Sequence, residues 1–252
     1  MLTDPLFLAL AVPAVLIAGI SKGGFGGGVG IMAVPLMSLA IAPPQAAAIM
    51  LPILCVMDVV LVWNFRGKWD SVNMRILIAA AILGIALGTA SFRYMDVATT
   101  RLMIGLIAVG FTLNYWFRDR GVQAVARGPS VWRGGFWGTV AGFTSFTAHA
   151  GGPPVGVYLL PQHLDKTVYQ ATTVILFIVV NYIKLIPYTW LGQFTTENLL
   201  TSAAFAPLAV VGVLLGVWLH HRISRDAFYR VCYVFLFLTG LKLLFDGVTA
   251  FV

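Results

Sequence analysis

The chain has 252 residues, 60% hydrophobic and only 10% charged, with a mean hydropathy of +0.92. A soluble domain carries roughly 25% charged residues, so the composition excludes a soluble globular protein and leaves no room for a soluble domain beside the apolar runs. The formal charge of +7 reads as basic residues in cytoplasmic loops, and nucleic acid is not expected as a partner.

The first apolar run, 5–20, has Asp4 as its only nearby charge. It lacks the basic n-region and small-residue cleavage site of a secretory signal and reads as a retained part of the fold. Ser21-Lys22-Gly23-Gly24-Phe25-Gly26-Gly27-Gly28-Val29-Gly30 then intervenes, and a second run follows at 31–42. Each run is short of the ~20 residues that a helix needs to cross a bilayer. Three full spans come next, near 44–64, 74–92 and 98–117. Charge, Gly and Pro mark 118–131 as a cytoplasmic linker. The pattern then returns. A run from Trp132 to Ala148 meets His149-Ala150-Gly151-Gly152-Pro153-Pro154, and a short run ends at Pro161. Three more spans follow, near 167–188, 199–219 and 228–247. Gly84 with Gly88, and Gly212 with Gly216, are small-xxx-small pairs that let helices approach closely in lipid. Cys55 and Cys232 fall inside spans and read as small packing residues. The tryptophans sit mostly near span ends, as an interfacial belt.

The basic residues decide between topologies. If each broken element crosses the membrane once, they divide almost evenly between the two sides. If each crosses an even number of times, the loops around 66–75, 118–133, 166 and 222–230 gather on one side, leaving only Arg93 and Arg101 on the other. The second arrangement fits the positive-inside rule. It puts three full spans in each half, an odd number, so the halves are inverted relative to each other. The expected fold is an all-α integral membrane protein of two inverted repeats. Each repeat is a Gly-broken helical element, re-entrant or discontinuous, plus three full transmembrane helices. Residues 1–117 form the first repeat and 132–252 the second, in one membrane domain. Broken helices at matching places of two halves point to a transporter's binding site. The expected location is the plasma (inner) membrane, multi-pass, with both termini outside the cytoplasm.

Two motifs carry a family resemblance: Gly24-Phe25-Gly26-Gly27-Gly28 followed by Pro35-Leu36, and Gly151-Gly152-Pro153-Pro154-Val155 followed by Tyr158-Leu159. With the size, the two-half organisation and the span count, the chain resembles the sulfite exporter family of the TauE/SafE type. The resemblance implies a secondary transporter, often an exporter, of small sulfur-containing anions such as sulfite, thiosulfate or organosulfonates.

Irregular backbone at membrane depth must be buried in protein or line a wet cavity. A break leaves free N–H groups and partial positive charge at the start of the next half-helix, a natural anion site. Half-helices starting near Val29 and Pro153 would form an oxyanion clamp. The candidate substrate-binding residues are Ser21, Lys22, Gly24, Gly26, Gly27 and Gly28 in the first break, and Thr147, His149, Gly151 and Gly152 in the second. Asn181 and Lys184 on a later span join them. Lys22 reads either as a snorkelling side chain or as the anion's counter-charge. His149 reads either as bonded to a backbone carbonyl or as an anion ligand and proton carrier. Intramembrane charges default to function, so Asp58 is a second proton-coupling candidate. An ion pair of Asp58 with Lys22 or Lys184 is the plainer alternative.

There is no G-x-x-x-x-G-K-[ST] sequence, so transport would draw on a gradient, the membrane potential or the substrate itself. No metal ligands, cofactor or catalytic constellation are expected. The expected partners are a small anionic substrate and the lipid bilayer, with proton coupling and a homo-oligomer both left open. A passive anion channel, a carrier of small carboxylates and an intramembrane enzyme or assembly factor of sulfur metabolism are the competing functions.

Overall fold

The computed structural model describes residues 1–24, 30–65, 67–92, 94–117, 128–219, 222 and 225–250. Its α-helices are α1 (Pro5–Gly24), α2 (Ala33–Met37), α3 (Pro43–Phe65), α4 (Ser71–Phe92), α5 (Val97–Phe117), α6 (Val131–Ala148), α7 (Gly152–Leu159), α8 (Lys166–Trp190), α9 (Thr196–Leu219) and α10 (Arg225–Thr249). Among the described residues there is no strand. Six helices are long and apolar enough to cross a membrane: α1, α3, α4, α5, α8 and α9. The 25 residues of α10 give it the length as well. The 18 residues of α6 interleave Gly, Ser and Thr with the apolar positions.

The first broken element departs from expectation. The sequence suggests a run that stops at residue 20, too short to span. The helix instead continues through Ser21-Lys22-Gly23-Gly24 and reaches 20 residues. Glycine in a helix is unfavourable by roughly 1 kcal/mol. Here it lets the last turns of α1 lie directly on α9, since a Cβ on Gly19 would fall 2.8 Å from the backbone of Gly212, and one on Gly24 would meet the Gly216 carbonyl. Residues 25–29, which include the candidates Gly26, Gly27 and Gly28, lie outside the described residues. The chain resumes as a 3-10 turn, Gly30–Met32, leading into the five-residue α2. The half-helix expected to start near Val29 therefore begins at Ala33.

In the second element, one helix ends at Ala148 and the next begins at Gly152. Ser130 caps α6, its hydroxyl accepting from the Arg133 N–H. The helix is capped by His149, in left-handed backbone at φ 51°. The His149 and Ala150 N–H groups bond back to Ser145 O at 3.1 Å and Thr144 O at 3.0 Å, the nested pair that closes a Schellman motif. A new helix, α7, starts at Gly152 with prolines in its first turn, where a missing N–H is least harmful.

Packing exchanges elements between the halves. α1 lies on α9 and the two run in the same direction: the Met1 amino group is 3.6 Å from Glu197, Gly19 meets Gly212, and Gly24 meets Gly216. α6 lies on α4 in the same manner, Gly134 meeting Ile76, Gly138 meeting Ala80, and Phe146 covering Gly88. The Gly84/Gly88 and Gly212/Gly216 pairs sit in these two seams. α5 and α10 run antiparallel, with Leu102 on Gly247 and Tyr115 stacked on Tyr233 at 4.0 Å. α3 and α8 pack together in the centre. Each also bonds across to the other half: Ser202 of α9 donates to Ile49 O at 2.8 Å, and Thr172 of α8 accepts at 2.9 Å from the N–H of Asp70, just ahead of α4. Residues 46–51 of α3 are all buried. Trp63, Phe136, Ile186, Trp190 and Leu214 face outward, as a lipid-facing surface would have them.

Candidate functional site

A cavity of about 50 Å³ lies where the two broken elements meet α3 and α8, enough for roughly three or four waters or a small anion. Ala18, Lys22 and Gly30 come from the first broken element. Ser145, His149 and Gly152 come from the second. Leu54 of α3 and Thr173, Val174, Phe177 and Asn181 of α8 complete the lining.

Behind this lining sits an ordered set of charges. Among the described residues, the buried charged side chains are Lys22, Asp58 and Lys184. Lys22 Nζ ion-pairs with Asp58 Oδ1 and donates to Leu54 O at 3.4 Å. The other carboxylate oxygen of Asp58 accepts from Asn181 Nδ2 at 2.7 Å. The alternative that paired Asp58 with Lys184 is not realised. Lys184 Nζ instead donates to the Ser145 carbonyl and hydroxyl, both at 3.0 Å, and to His149 Nδ1 at 2.7 Å. His149 Nε2 faces Ala47 O at 2.9 Å. A carbonyl can only accept, so Nε2 carries the ring proton and Nδ1 receives the lysine's. Both readings of His149 meet in one residue: it bonds a backbone carbonyl, and it borders the cavity. These bonds also hold its backbone in a conformation that disfavours side chains by roughly 1–2 kcal/mol.

Counted in their ordinary ionised forms, two positive and one negative, these three side chains sum to one positive charge. Burying a charge is costly unless it is paired and hydrogen-bonded. Lys184 meets three acceptors, one for each N–H of an ammonium group. Among the described residues Lys22 meets two, and it lines the cavity. The arrangement can therefore accept one negative charge at the Lys22 end and neutral oxygens at the Ser145 and Gly152 end.

A second, smaller cavity of about 20 Å³ lies beyond, lined by residues that include Ala47, Phe92, Phe146, Thr147, Tyr188 and Gln193. The His149–Ala47 bond links a residue of the first lining to one of the second. Tyr188, in the second lining, donates to Phe146 O at 2.6 Å and packs edge-on against the Phe146 ring at 5.2 Å.

The sequence-derived candidates thus divide. Lys22, His149, Gly152 and Asn181 line the central cavity, and Asp58 and Lys184 stand immediately behind it. Thr147 lines the second cavity, its hydroxyl bonded to Phe143 O at 3.1 Å. Ser21 is buried near the end of α1, and Gly24 faces α9. Gly151 packs beside Ala141, Ser145 and Phe177. Of the oxyanion clamp of two helix starts, only the second lies wholly among the described residues. There Pro153 and Pro154 have no N–H, and the Val155 N–H bonds to Gly151 O at 3.3 Å. Among the described residues, the side chains of Lys22, Ser145 and Asn181 bring further donors to the lining. Thr173 and Phe177 escaped the sequence reading. The spacing of Thr173, Phe177, Asn181 and Lys184 at i, i+4, i+8 and i+11 puts them on one helix face and could have revealed them. Among the described residues, no group of His, Cys, Asp and Glu could hold a metal ion.

Residues 11–243 match the model of the family described as Sulfite exporter TauE/SafE. The chain is also 26% identical over 145 residues to NADH-ubiquinone oxidoreductase chain 1 of Murina florium, and 25% identical over 145 residues to that of Murina suilla. Each match covers 58% of this chain and 45% of the relative, so the chain spans less than half the length of the curated relatives it matches. No solved structure matches it.

Proposed function

The chain belongs to the sulfite exporter TauE/SafE family of membrane transporters, and on that premise we propose that it is a secondary transporter that exports a small sulfur-containing anion by alternating access. The anion, of sulfite, thiosulfate or organosulfonate type, sits in the central cavity against Lys22, Ser145, His149 and the Gly152 N–H. Residues 1–117 and 132–252 act as two inverted repeats that rock about it. The observation that carries the reading is the cavity itself: both breaks line it, and the buried charges around it sum to one positive charge. The exchange of α1 onto α9 and of α6 onto α4, each pair running the same way, supports the repeat. The bonds of His149 to Ala47 O and of Tyr188 to Phe146 O support a closed gate on the side where α3 starts. With the basic loops in the cytoplasm, that side is the external face of the plasma membrane, where both termini lie. Proton coupling would run through Asp58 and His149.

Thermal unfolding of the purified protein tests this against sulfite, sulfate, thiosulfate, small sulfonates, small carboxylates and neutral analogues. A ligand that binds only the folded state raises apparent stability by mass action. Stabilisation by sulfur oxyanions or sulfonates above carboxylates is expected. Stabilisation by carboxylates alone redirects the reading to a carboxylate carrier, and stabilisation by none of the anions overturns it. Uptake into sealed vesicles against a gradient then separates a carrier from a passive channel.

A further inference from the structure

The cavity's one acid neither lines it nor serves as a spare counter-ion. Resting on the reading that this cavity holds an anion, we propose that Asp58 fixes the valence of that anion at one. The argument is a sum of charges in a dry place. Lys22, Asp58 and Lys184 are the buried charged side chains among the described residues, and His149 is a neutral imidazole by its two bonds. The cavity walls between them are Ala18, Leu54, Val174 and Phe177, which offer no compensating charge. A monovalent anion beside Lys22 brings the group to zero. A divalent anion leaves one negative charge without a partner away from water, which is strongly unfavourable. Asp58 is therefore a specificity-determining residue that acts through Lys22. Its carboxylate holds the lysine from behind, anchored on the far side by Asn181, and subtracts one charge from what the cavity can take. On this view the cargo is a sulfonate or another singly charged anion, and thiosulfate and sulfate are discriminated against by charge rather than by size.

Methanesulfonate and sulfate make the test, being close in size and shape with one and two negative charges. The measurement is the apparent Kd of each from thermal-shift titrations of the purified full chain near neutral pH. The wild-type protein is expected to bind methanesulfonate at least about tenfold more tightly than sulfate. Asp58→Asn raises the sum to two positive charges, and the ratio is expected to move toward sulfate by about tenfold or more. Asp58→Glu keeps the charge and is expected to keep the wild-type order, which a purely structural role for the side chain would not require. Should Asp58→Asn fail to fold, the double variant Lys22→Gln/Asp58→Asn removes both partners and restores the sum of one. It is expected to favour methanesulfonate. An unchanged ratio in folded Asp58→Asn, or a double variant that prefers sulfate, overturns the valence rule alone. A wild-type protein stabilised by neither anion overturns the anion site on which the rule rests.

Discussion

The segment around Lys22 and the segment around His149 both border the central cavity, yet they distribute charge in opposite ways. In the first half the broken helix carries the cation, Lys22, and the following span carries its acid, Asp58. In the second half the broken element carries neutral groups, Ser145 and His149, and the following span carries the base, Lys184. Ser145 stands 123 residues after Lys22, and Asn181 stands 123 after Asp58. The same joint, broken helix against following span, is thus bonded in both halves. The contrast teaches that two similar helix contacts can differ in chemistry, and the difference leaves a net charge that two identical ion pairs would have cancelled.

The contrast breaks most visibly at Lys22. Lys22→Met leaves Asp58 buried with Asn181 alone, and a broken buried pair costs about 3–5 kcal/mol. A large fall in Tm in detergent is expected, with much of it recovered in Lys22→Met/Asp58→Asn. Lys184→Met removes a donor from neutral acceptors only, at about 1–3 kcal/mol. The order of the two Tm shifts therefore measures the asymmetry directly, and equal shifts would erase it. Packing, by contrast, should be symmetric. A Cβ on Gly24 would run into the Gly216 carbonyl oxygen, and one on Gly142 into the Ala81 carbonyl oxygen. Gly24→Ala and Gly142→Ala are each expected to lose about 1–3 kcal/mol by overpacking, and urea or thermal melts should find them alike. Tyr188→Phe removes the 2.6 Å bond to Phe146 O for about 0.5–1.5 kcal/mol. It should also speed access of a water-soluble thiol reagent to a cysteine placed at Thr147.

The smallest effect lies in a loop. The Thr99 backbone N–H bonds to Asp96 Oδ1 at 2.7 Å and holds that exposed carboxyl below the usual carboxylate range. Asp96 thus contributes stability that is complete above its ordinary value and fades as the pH falls through the lowered one. Asp96→Asn should flatten the acid side of the Tm–pH profile slightly, below roughly pH 4, and leave neutral pH nearly unchanged.

Much of this was readable beforehand because a membrane protein spends few charges. Asp58 and Lys184 stood out inside apolar runs, and Lys22 in the break between two of them, where charges are rare and need partners. Five of the six expected spans, those of α3, α4, α5, α8 and α9, followed from hydropathy, and the joint at His149 from the Gly-Gly-Pro-Pro sequence. The choice of partners was not readable, since one-dimensional spacing left Asp58 free to meet Lys22 or Lys184. The end of α1 was missed because its glycines look like a loop, whereas α9 gives them a backbone to lie against. The apolar cavity wall was hidden for a similar reason. Val174 and Phe177 could equally have faced lipid, and only the periodicity they share with Asn181 and Lys184 distinguishes them.

The seam between α1 and α9 also sets a timetable. The helix that starts the chain has its glycine face against residues 212–216, which leave the ribosome roughly 190 residues later. At about 5–20 residues per second, α1 waits on the order of 10–40 s in the bilayer with that face uncovered. The α4 surface that receives α6 waits for a far shorter stretch of synthesis. The newborn chain is most exposed to wrong helix partners, and to membrane quality control, along α1, and it is the arrival of α9 that ends that interval.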